Sequence, residues 1–401
     1  MTALLIFAAT YAVLAAGRVP GLRVDRTGAA IIGAALMIGS GALSFTDAVR
    51  AIDHSTLVLL FGMMIVVANL RLSGLFRAVA AWAVRRAHAP FTLLAAVCAV
   101  SGVFSAFFVN DTMCIVLAPL VLEIAGALRR NPVPYLLAVA MSSNAGSVAT
   151  ITGNPQNMMI GALSGIPYRQ FAWELAPVAA AALLVTFLAI VFAYRTEFRA
   201  HTHLNGAREL RVRVNRPLLW KSVAVSALML GAFFAGAPVP QAAVVAGAVL
   251  LITRRVKPEK VYHEIDFPLL VMFAGLFVVV AGVERTSLES ELLHAAARFR
   301  LDRVAVLSAF SALLSNLVSN VPAVLVFRPV MAHLKNPQLG WLTLAMSSTL
   351  AGNLTILGSV ANLIVVQRAR GEVNISFWEY FRTGAPVTLV TILLGVLWLS
   401  R

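Results

Sequence analysis

Twelve residues have the type and spacing to handle an ion inside a membrane. They are Asn110, Asp111, Thr112, Ser143, Asn144, Gly153 and Asn157 in one half of the sequence, and Ser319, Asn320, Asn353, Gly358 and Asn362 in the other. An ion that leaves water needs substitutes for its hydration shell. Carboxamide oxygens and unwound backbone carbonyls serve a cation, and helix N-termini with their free N–H groups serve an anion. Asp111 is the sole carboxylate at either polar tip described below, which makes it the candidate proton carrier or cation ligand. The other tip carries Val321 in that place, so the two half-sites are not equivalent. Each of these residues also has a structural alternative: the asparagines can tie down unwound backbone, and Asp111 can cap a helix. Arg328 is read as snorkelling to the outer interface, with Glu123 and Glu174 interfacial as well.

The segments that carry these residues are apolar. The chain has 401 residues, 60% hydrophobic and 12% charged, too little charge to cover a soluble domain of this size. Apolar runs recur along it, most of them roughly 17–25 residues, the length of a membrane-crossing helix. Backbone facing hydrocarbon must then be helical. Four segments depart from plain spans. Segments 91–128 and 303–334 are pairs of apolar arms around the tips Asn110-Asp111-Thr112 and Ser319-Asn320-Val321-Pro322. Segments 133–165 and 339–367 are interrupted by Gly-, Asn-, Ser- and Thr-rich stretches, the pattern of helices unwound mid-membrane.

The two odd pairs occur in the same order, and the sequence repeats with them. Leu137-x-x-Ala140-Met141-Ser142-Ser143 matches Leu342-x-x-Ala345-Met346-Ser347-Ser348, and Thr150-Ile151, Gly153 and Asn157 match Thr355-Ile356, Gly358 and Asn362. Upstream, Ile52-Asp53 mirrors Ile265-Asp266. The expected organisation is a first repeat over 1–197, a cytoplasmic linker over 198–214 and a second repeat over 215–401. The fold class is all-α and polytopic, with about ten spanning helices, two re-entrant hairpins and two broken helices. If the hairpins re-enter, each repeat crosses five times, and an odd number inverts the second repeat. With the N-terminus outside, 23 of the 32 Lys and Arg residues fall in cytoplasmic segments, as the positive-inside rule requires. The expected location is a bacterial cytoplasmic membrane with both termini outside.

Other classes are disfavoured. The net charge of +15 lies in short gaps between apolar runs, which suits topology and lipid contact better than nucleic acid. Cys98 and Cys114 sit in apolar segments, and no Cys/His cluster suggests a metal, a disulfide framework or a cofactor. The start of the chain lacks a basic n-region and reads as a first transmembrane helix, not a signal peptide. No GxSxG, Walker A or HExxH motif is present, so neither an enzyme nor an ATP-driven pump is expected.

Four stretches resemble the ion transporter superfamily, which joins arsenite permeases, citrate-type carriers, divalent-anion:sodium symporters and certain sodium/proton antiporters. Ile52-Asp53-x-Ser55-Thr56-Leu57 with Leu60-Phe61-Gly62-Met63-Met64 is similar to the third-helix signature of the arsenite-permease branch. Asn110-Asp111-Thr112 resembles a first hairpin tip, where the divalent-anion branch has Ser-Asn-Thr. Thr150-Ile151-Thr152-Gly153-Asn154-Pro155-Gln156-Asn157 and Ala351-Gly352-Asn353-Leu354-Thr355-Ile356-Leu357-Gly358-Ser359-Val360-Ala361-Asn362 resemble the paired broken-helix motifs. The resemblance implies inverted repeats, elevator-type alternating access and the dimer the family often forms. It also implies a small anionic substrate, a carboxylate or inorganic oxyanion, coupled to Na+ or H+. A Na+/H+ antiporter and an arsenite efflux permease are the alternatives on the same scaffold. The departures are Asp111 at the first tip and Ser319-Asn320-Val321 at the second, which leave proton coupling open.

Overall fold

The computed structural model describes residues 2–17, 23–87, 89–199, 213–284 and 288–401, and among them there is helix but no strand. The first repeat comprises α1 (Thr2–Ala16), α2 (Arg26–Gly39), α3 (Phe45–Ala51), α4 (His54–Ser73) and α5 (Leu75–Arg85). It continues with α6 (Pro90–Phe107), α7 (Asn110–Ala127), α8 (Pro132–Ser147), α9 (Pro155–Ser164) and α10 (Tyr168–Ala193). A short α11 (Arg195–Arg199) follows. The second repeat runs through α12 (Arg216–Phe234), α13 (Val239–Leu251), α14 (Pro258–Tyr262), α15 (Phe267–Glu284) and α16 (Leu288–Phe299). It ends with α17 (Val304–Val318), α18 (Asn320–Met331), α19 (Pro337–Ala351), α20 (Val360–Ala369) and α21 (Phe377–Leu399). Element for element, α1–α10 and α12–α21 correspond. Of the expected linker, only 198–199 and 213–214 lie within the described residues.

The same contacts are made twice, with the repeats exchanged. Asp53 caps α4 by accepting from Thr56 N at 2.6 Å, and Asp266 caps α15 by accepting from Leu269 N at 3.0 Å. The two aspartates are 213 positions apart (266 − 53). That spacing also relates Gly62 to Gly275 and Ala30 to Ala243. Gly62 faces the backbone of Ala243, and Gly275 faces the backbone of Ala30. A side chain at either glycine would force these helices apart, so α4 lies close on α13 and α15 close on α2. Each repeat thus contributes one long helix to the other's short one.

These helices, with α1 and α12, form one body; α6–α10 pack with one another and with α17–α21 to form a second. Within the second body Gly146 leaves no room for a Cβ against the carbonyl of Gly102, which sets the approach of α8 to α6. Five passes per repeat orient the repeats oppositely across the bilayer. Seven helices reach 18 or more residues with spanning hydropathy, two of them the hairpin arms α6 and α7; the other five, the shorter apolar α1, α2 and α13, and the broken helices α8–α9 and α19–α20 account for the ten passes. Exposed large side chains such as Trp173, Phe192, Trp220 and Leu228 face outward, as lipid-facing surface should.

The hairpins re-enter. The arms α17 and α18 hold 15 and 12 residues, about 22 and 18 Å of helix at 1.5 Å per residue and short of a crossing. The first hairpin, α6–α7, stops where its tip meets the break between α8 and α9: Val109 N donates to Thr152 O at 3.3 Å, and Thr150 Oγ1 donates to Ala106 O. Both tips turn through a left-handed non-glycine residue, Val109 at φ 62° and Ser319 at φ 78°. The amphipathic helices α5 and α16, which no long apolar run marks in the sequence, lead into the two hairpins.

Candidate functional site

Pro155 and Val360 begin the second halves of the two broken helices, each after a single 3-10 turn, Ile151–Gly153 and Ile356–Gly358. Asn157 and Asn362 hold those breaks. Asn157 Nδ2 donates to Ser147 O at 3.0 Å and Thr150 O at 3.1 Å; Asn362 Nδ2 donates to Gly352 O at 2.6 Å and Thr355 O at 2.9 Å. All three residues of one set map onto the other by 205 positions (362 − 157). Gly153 and Gly358 are glycine for space: a Cβ would run into Ser147 O at the first and would lie 2.9 Å from Gly352 O at the second. Asn157 and Asn362 thus tie down the unwound backbone, and the two glycines leave room for its close approach.

Asn144, near the end of α8, is the hub of an amide relay. Asn353 and Asn362 both donate to backbone carbonyls, Asn353 Nδ2 reaching Met141 O at 3.2 Å. A carbonyl only accepts, so these contacts fix which way each amide points. Their Oδ1 atoms must then accept, and they do so from Asn144 Nδ2 at 2.9 and 3.0 Å. Asn144 Oδ1 in turn accepts from Ser359 Oγ and from Asn110 Nδ2, each at 3.0 Å. The relay ends at Asn110 Oδ1, a buried acceptor with no partner among the described residues. On the second hairpin tip Asn320 Oδ1 is likewise buried and unpartnered. Both residues line the same cavity, which sets these two bare acceptors apart from the other unpartnered buried polar atoms of the described residues.

Both tips open on one cavity of about 220 Å³, roughly seven waters' share of liquid volume. Its lining is mostly the starts of helices: Asn110 and Asp111 of α7, Pro155 and Gln156 of α9, Asn320–Pro322 of α18, and Ser359 and Val360 at α20. Arg26 and Thr27 of α2 and Asp266, the cap of α15, complete the polar wall. Six N-terminal ends therefore converge with their partial positive charge, although α2, α9, α15 and α20 each have a first-turn N–H already capped by a side chain. The side-chain charges in the wall are one guanidinium and two carboxylates. Asp111 lies in the first turn of α7 and is not its cap; that position is Val109, which has no side chain to cap with.

Of the sequence candidates, Asn110, Asp111, Ser319 and Asn320 line the cavity. Asn144, Asn157, Asn353, Asn362, Gly153 and Gly358 stand behind it as support. Ser143 is buried between α8 and α7, bonded to Ala140 O at 2.8 Å and beside Cys114 Sγ at 3.1 Å. Thr112 is half-buried on α7 and does not line the cavity. Arg328 pairs with Glu284 at 3.7 Å, so it is anchored to α15 rather than simply reaching for the interface. Sequence reasoning missed Arg26, Gln156, Ser359 and Asp266 as wall residues. Asp266 carried a signal as the repeat partner of Asp53; Arg26 carried none beyond topology. No His/Cys/Asp/Glu cluster with metal-holding geometry occurs among the described residues.

Two repeats, paired re-entrant hairpins and a polar cavity between broken helices define a polytopic membrane transporter. The citrate transporter family model matches residues 4–351, and the chain belongs to that family. An uncharacterized transporter of Mycobacterium tuberculosis (strain ATCC 25618 / H37Rv) is 32% identical over 99% of this chain and 97% of its own. The silicon efflux transporter LSI3 of Oryza sativa subsp. japonica is 32% identical over 94% of this chain and 93% of its own. In fold, the chain is similar to the crystal structure of the Alcanivorax borkumensis YdaH transporter, with a TM-score of 0.62 and 16% identity, covering 99% and 95% of the two chains. These relatives are transporters, and the chain is a transporter rather than an enzyme.

Proposed function

We propose that this chain is a secondary active carrier of a small anion, a carboxylate or an inorganic oxyanion, coupled to Na+ or H+. The observation that carries this reading is the convergence of six helix N-termini and Arg26 on one small cavity. Asp111 and Asp266 offset that positive field while both are ionised. A proton or Na+ on Asp111 removes one of the opposing charges and leaves a field that favours an anion. Coupling then follows from electrostatics: the anion binds best when the cation is already present. Asn110 Oδ1 and Asn320 Oδ1 are free acceptors for that cation or for a ligand hydroxyl. The body that carries both tips would move against the α1, α2, α4, α12, α13 and α15 body, an elevator displacement. The same reading puts the chain in a bacterial cytoplasmic membrane as a dimer.

The test is uptake of labelled citrate, phosphate and arsenate into liposomes containing the purified chain, under separate Na+ and H+ gradients. Asn320→Ala is expected to abolish uptake while leaving the protein monodisperse, because Asn320 Oδ1 holds nothing else in place. Normal uptake by that variant removes the site assignment. Sodium–proton exchange without anion uptake replaces the anion carrier with an antiporter centred on Asp111. A second reading, efflux of a weak oxyacid such as arsenous acid, draws support from the wall's side-chain charge, two carboxylates against one guanidinium. Proton-driven arsenite movement in the same liposomes distinguishes it.

A further inference from the structure

A second cavity, of about 650 Å³, lies where the end of α16, the turn into α17 and the end of α18 meet. Val330 in its wall is ten positions along α18 from Asn320, about 15 Å at 1.5 Å per residue, so this space is separate from the one at the hairpin tips. Arg300, Asp302, Arg303, His333 and Lys335 line it. Lys335 reaches Asp302 at 3.5 Å, while Arg300 and Arg303 pair with no described carboxylate. The wall therefore holds two positive charges in excess (3 − 1). Arg300 turns the chain at φ 56°, a left-handed position where glycine or asparagine is less strained. The charge is also on the unexpected side. With the N-terminus outside, nine Lys and Arg residues fall in outer segments (32 − 23), and six of the nine lie between positions 285 and 335. The positive-inside rule disfavours that concentration, so it calls for a local use.

The first repeat satisfies the matching position from within. The 205-position spacing takes Lys335 to Arg130 and the cap Asn336 to the cap Asn131. Arg130 is held by Glu197, at 2.8 Å to Oε1 and 2.7 Å to the backbone oxygen, whereas the side chain of Lys335 is 89% exposed. An apolar strip begins beside the second-repeat cavity. Phe299, next to Arg300, packs on Phe310 with ring centroids 5.3 Å apart, and Phe310, Leu313 and Leu317 follow one exposed face of α17. A free oxyanion would use the charges and leave the strip aside; a phospholipid uses both. We infer that this cavity seats the headgroup of an anionic phospholipid of the phosphatidylglycerol kind. Arg300 and Arg303 take the phosphate, and an acyl chain lies along Phe310, Leu313 and Leu317. The site is independent of what the central cavity carries.

Native mass spectrometry of the full chain in a neutral detergent tests the site, with dioleoylphosphatidylglycerol or dioleoylphosphatidylcholine titrated in. One phosphatidylglycerol should be retained per chain, about tenfold more tightly than phosphatidylcholine. Arg300→Gln/Arg303→Gln should weaken that retention about thirtyfold, a factor of about five for each charge. Both side chains are exposed, so the melting temperature of the lipid-free protein should not change. Arg254→Gln/Arg255→Gln removes two exposed charges between α13 and α14 and should leave retention as it was. Retention that survives Arg300→Gln/Arg303→Gln overturns the site. An equal loss in both double variants does so too, since it reports only attraction to a basic protein. Displacement of the bound lipid by millimolar inorganic phosphate would assign the cavity to a free oxyanion and overturn the lipid reading.

Discussion

The Asn144→Asp substitution is the sharpest probe of the amide relay. Aspartate matches asparagine in size and keeps both acceptor contacts, from Asn110 Nδ2 and from Ser359 Oγ. It has no N–H, so the two donor contacts, 2.9 Å to Asn353 Oδ1 and 3.0 Å to Asn362 Oδ1, become oxygen facing oxygen. Both of those acceptors are buried, and each buried acceptor left bare costs about 1–3 kcal/mol, so the pair amounts to roughly 4 kcal/mol. Cys114 provides the assay, since its Sγ is buried 3.1 Å from Ser143 Oγ, one residue from Asn144. Its alkylation requires local opening, and a loss of about 4 kcal/mol speeds alkylation by roughly a thousandfold at 1.4 kcal/mol per decade. Asn144→Ala leaves more groups bare but makes room for a water to reach them, so it should be no worse than the near-isosteric aspartate. Aspartate behaving like wild type within about 0.5 kcal/mol would mean that Asn144 donates to neither partner and the relay runs otherwise.

Gly146→Ala should destabilise by about 1–3 kcal/mol and lower the detergent melting temperature, because its Cβ meets the carbonyl of Gly102; Gly231→Ala, in open space on α12, should be neutral or mildly stabilising. Arg130→Gln should cost about 2 kcal/mol by the same melt, since Arg130 Nε holds Glu197 Oε1 at 2.8 Å and both side chains are 13% exposed. Asp53→Ala and Asp266→Ala should each cost about 1 kcal/mol as lost helix caps, but only Asp266→Ala should alter flux in liposomes, because only Asp266 borders the cavity.

The duplicated architecture was legible in the sequence because its causes are local. Apolar run length reports the bilayer, and Gly-Asn-rich interruptions report broken helices; Asn157 and Asn362 sit where the pattern puts them and hold the breaks. The division between ligand wall and support was not legible. Asn110 and Asn144 are the same residue type in equally polar surroundings, yet one ends with a bare acceptor and the other with every polar atom engaged. That difference arises from partners more than two hundred positions away. Arg26 was invisible for a related reason: a basic residue at a helix start near the membrane edge has the signature of a topology signal, and only packing brings α2 to the hairpin tips.

The repeats share geometry where backbone must be held and differ where ions would be handled. The 205-position spacing takes Asn144 to Thr349 and Asn154 to Ser359, and the contact of Asn144 with Ser359 recurs as that of Thr349 with Asn154 at 3.2 Å. The contact is kept, but Thr349 has a single proton to give, and it points to Asn157 Oδ1 at 3.5 Å rather than toward the second hairpin. Thr349 accepts from Asn154 and Gln156 of the first repeat and makes no bond to the second hairpin's Asn320 among the described residues. That hairpin is tied instead by Asn316, one turn before its tip, whose Nδ2 donates to Ala351 O at 2.9 Å. The first tip is therefore held at Asn110 as well as through Val109 and Ala106, and Asn110 cannot move without losing its orientation. The second is held behind Asn320, which is left free to adjust. On the proposed carrier reading, a rigid acceptor beside Asp111 and an adjustable one opposite would suit a site in which the coupling cation is recognised first, at the fixed half, and the substrate is then closed upon by the other.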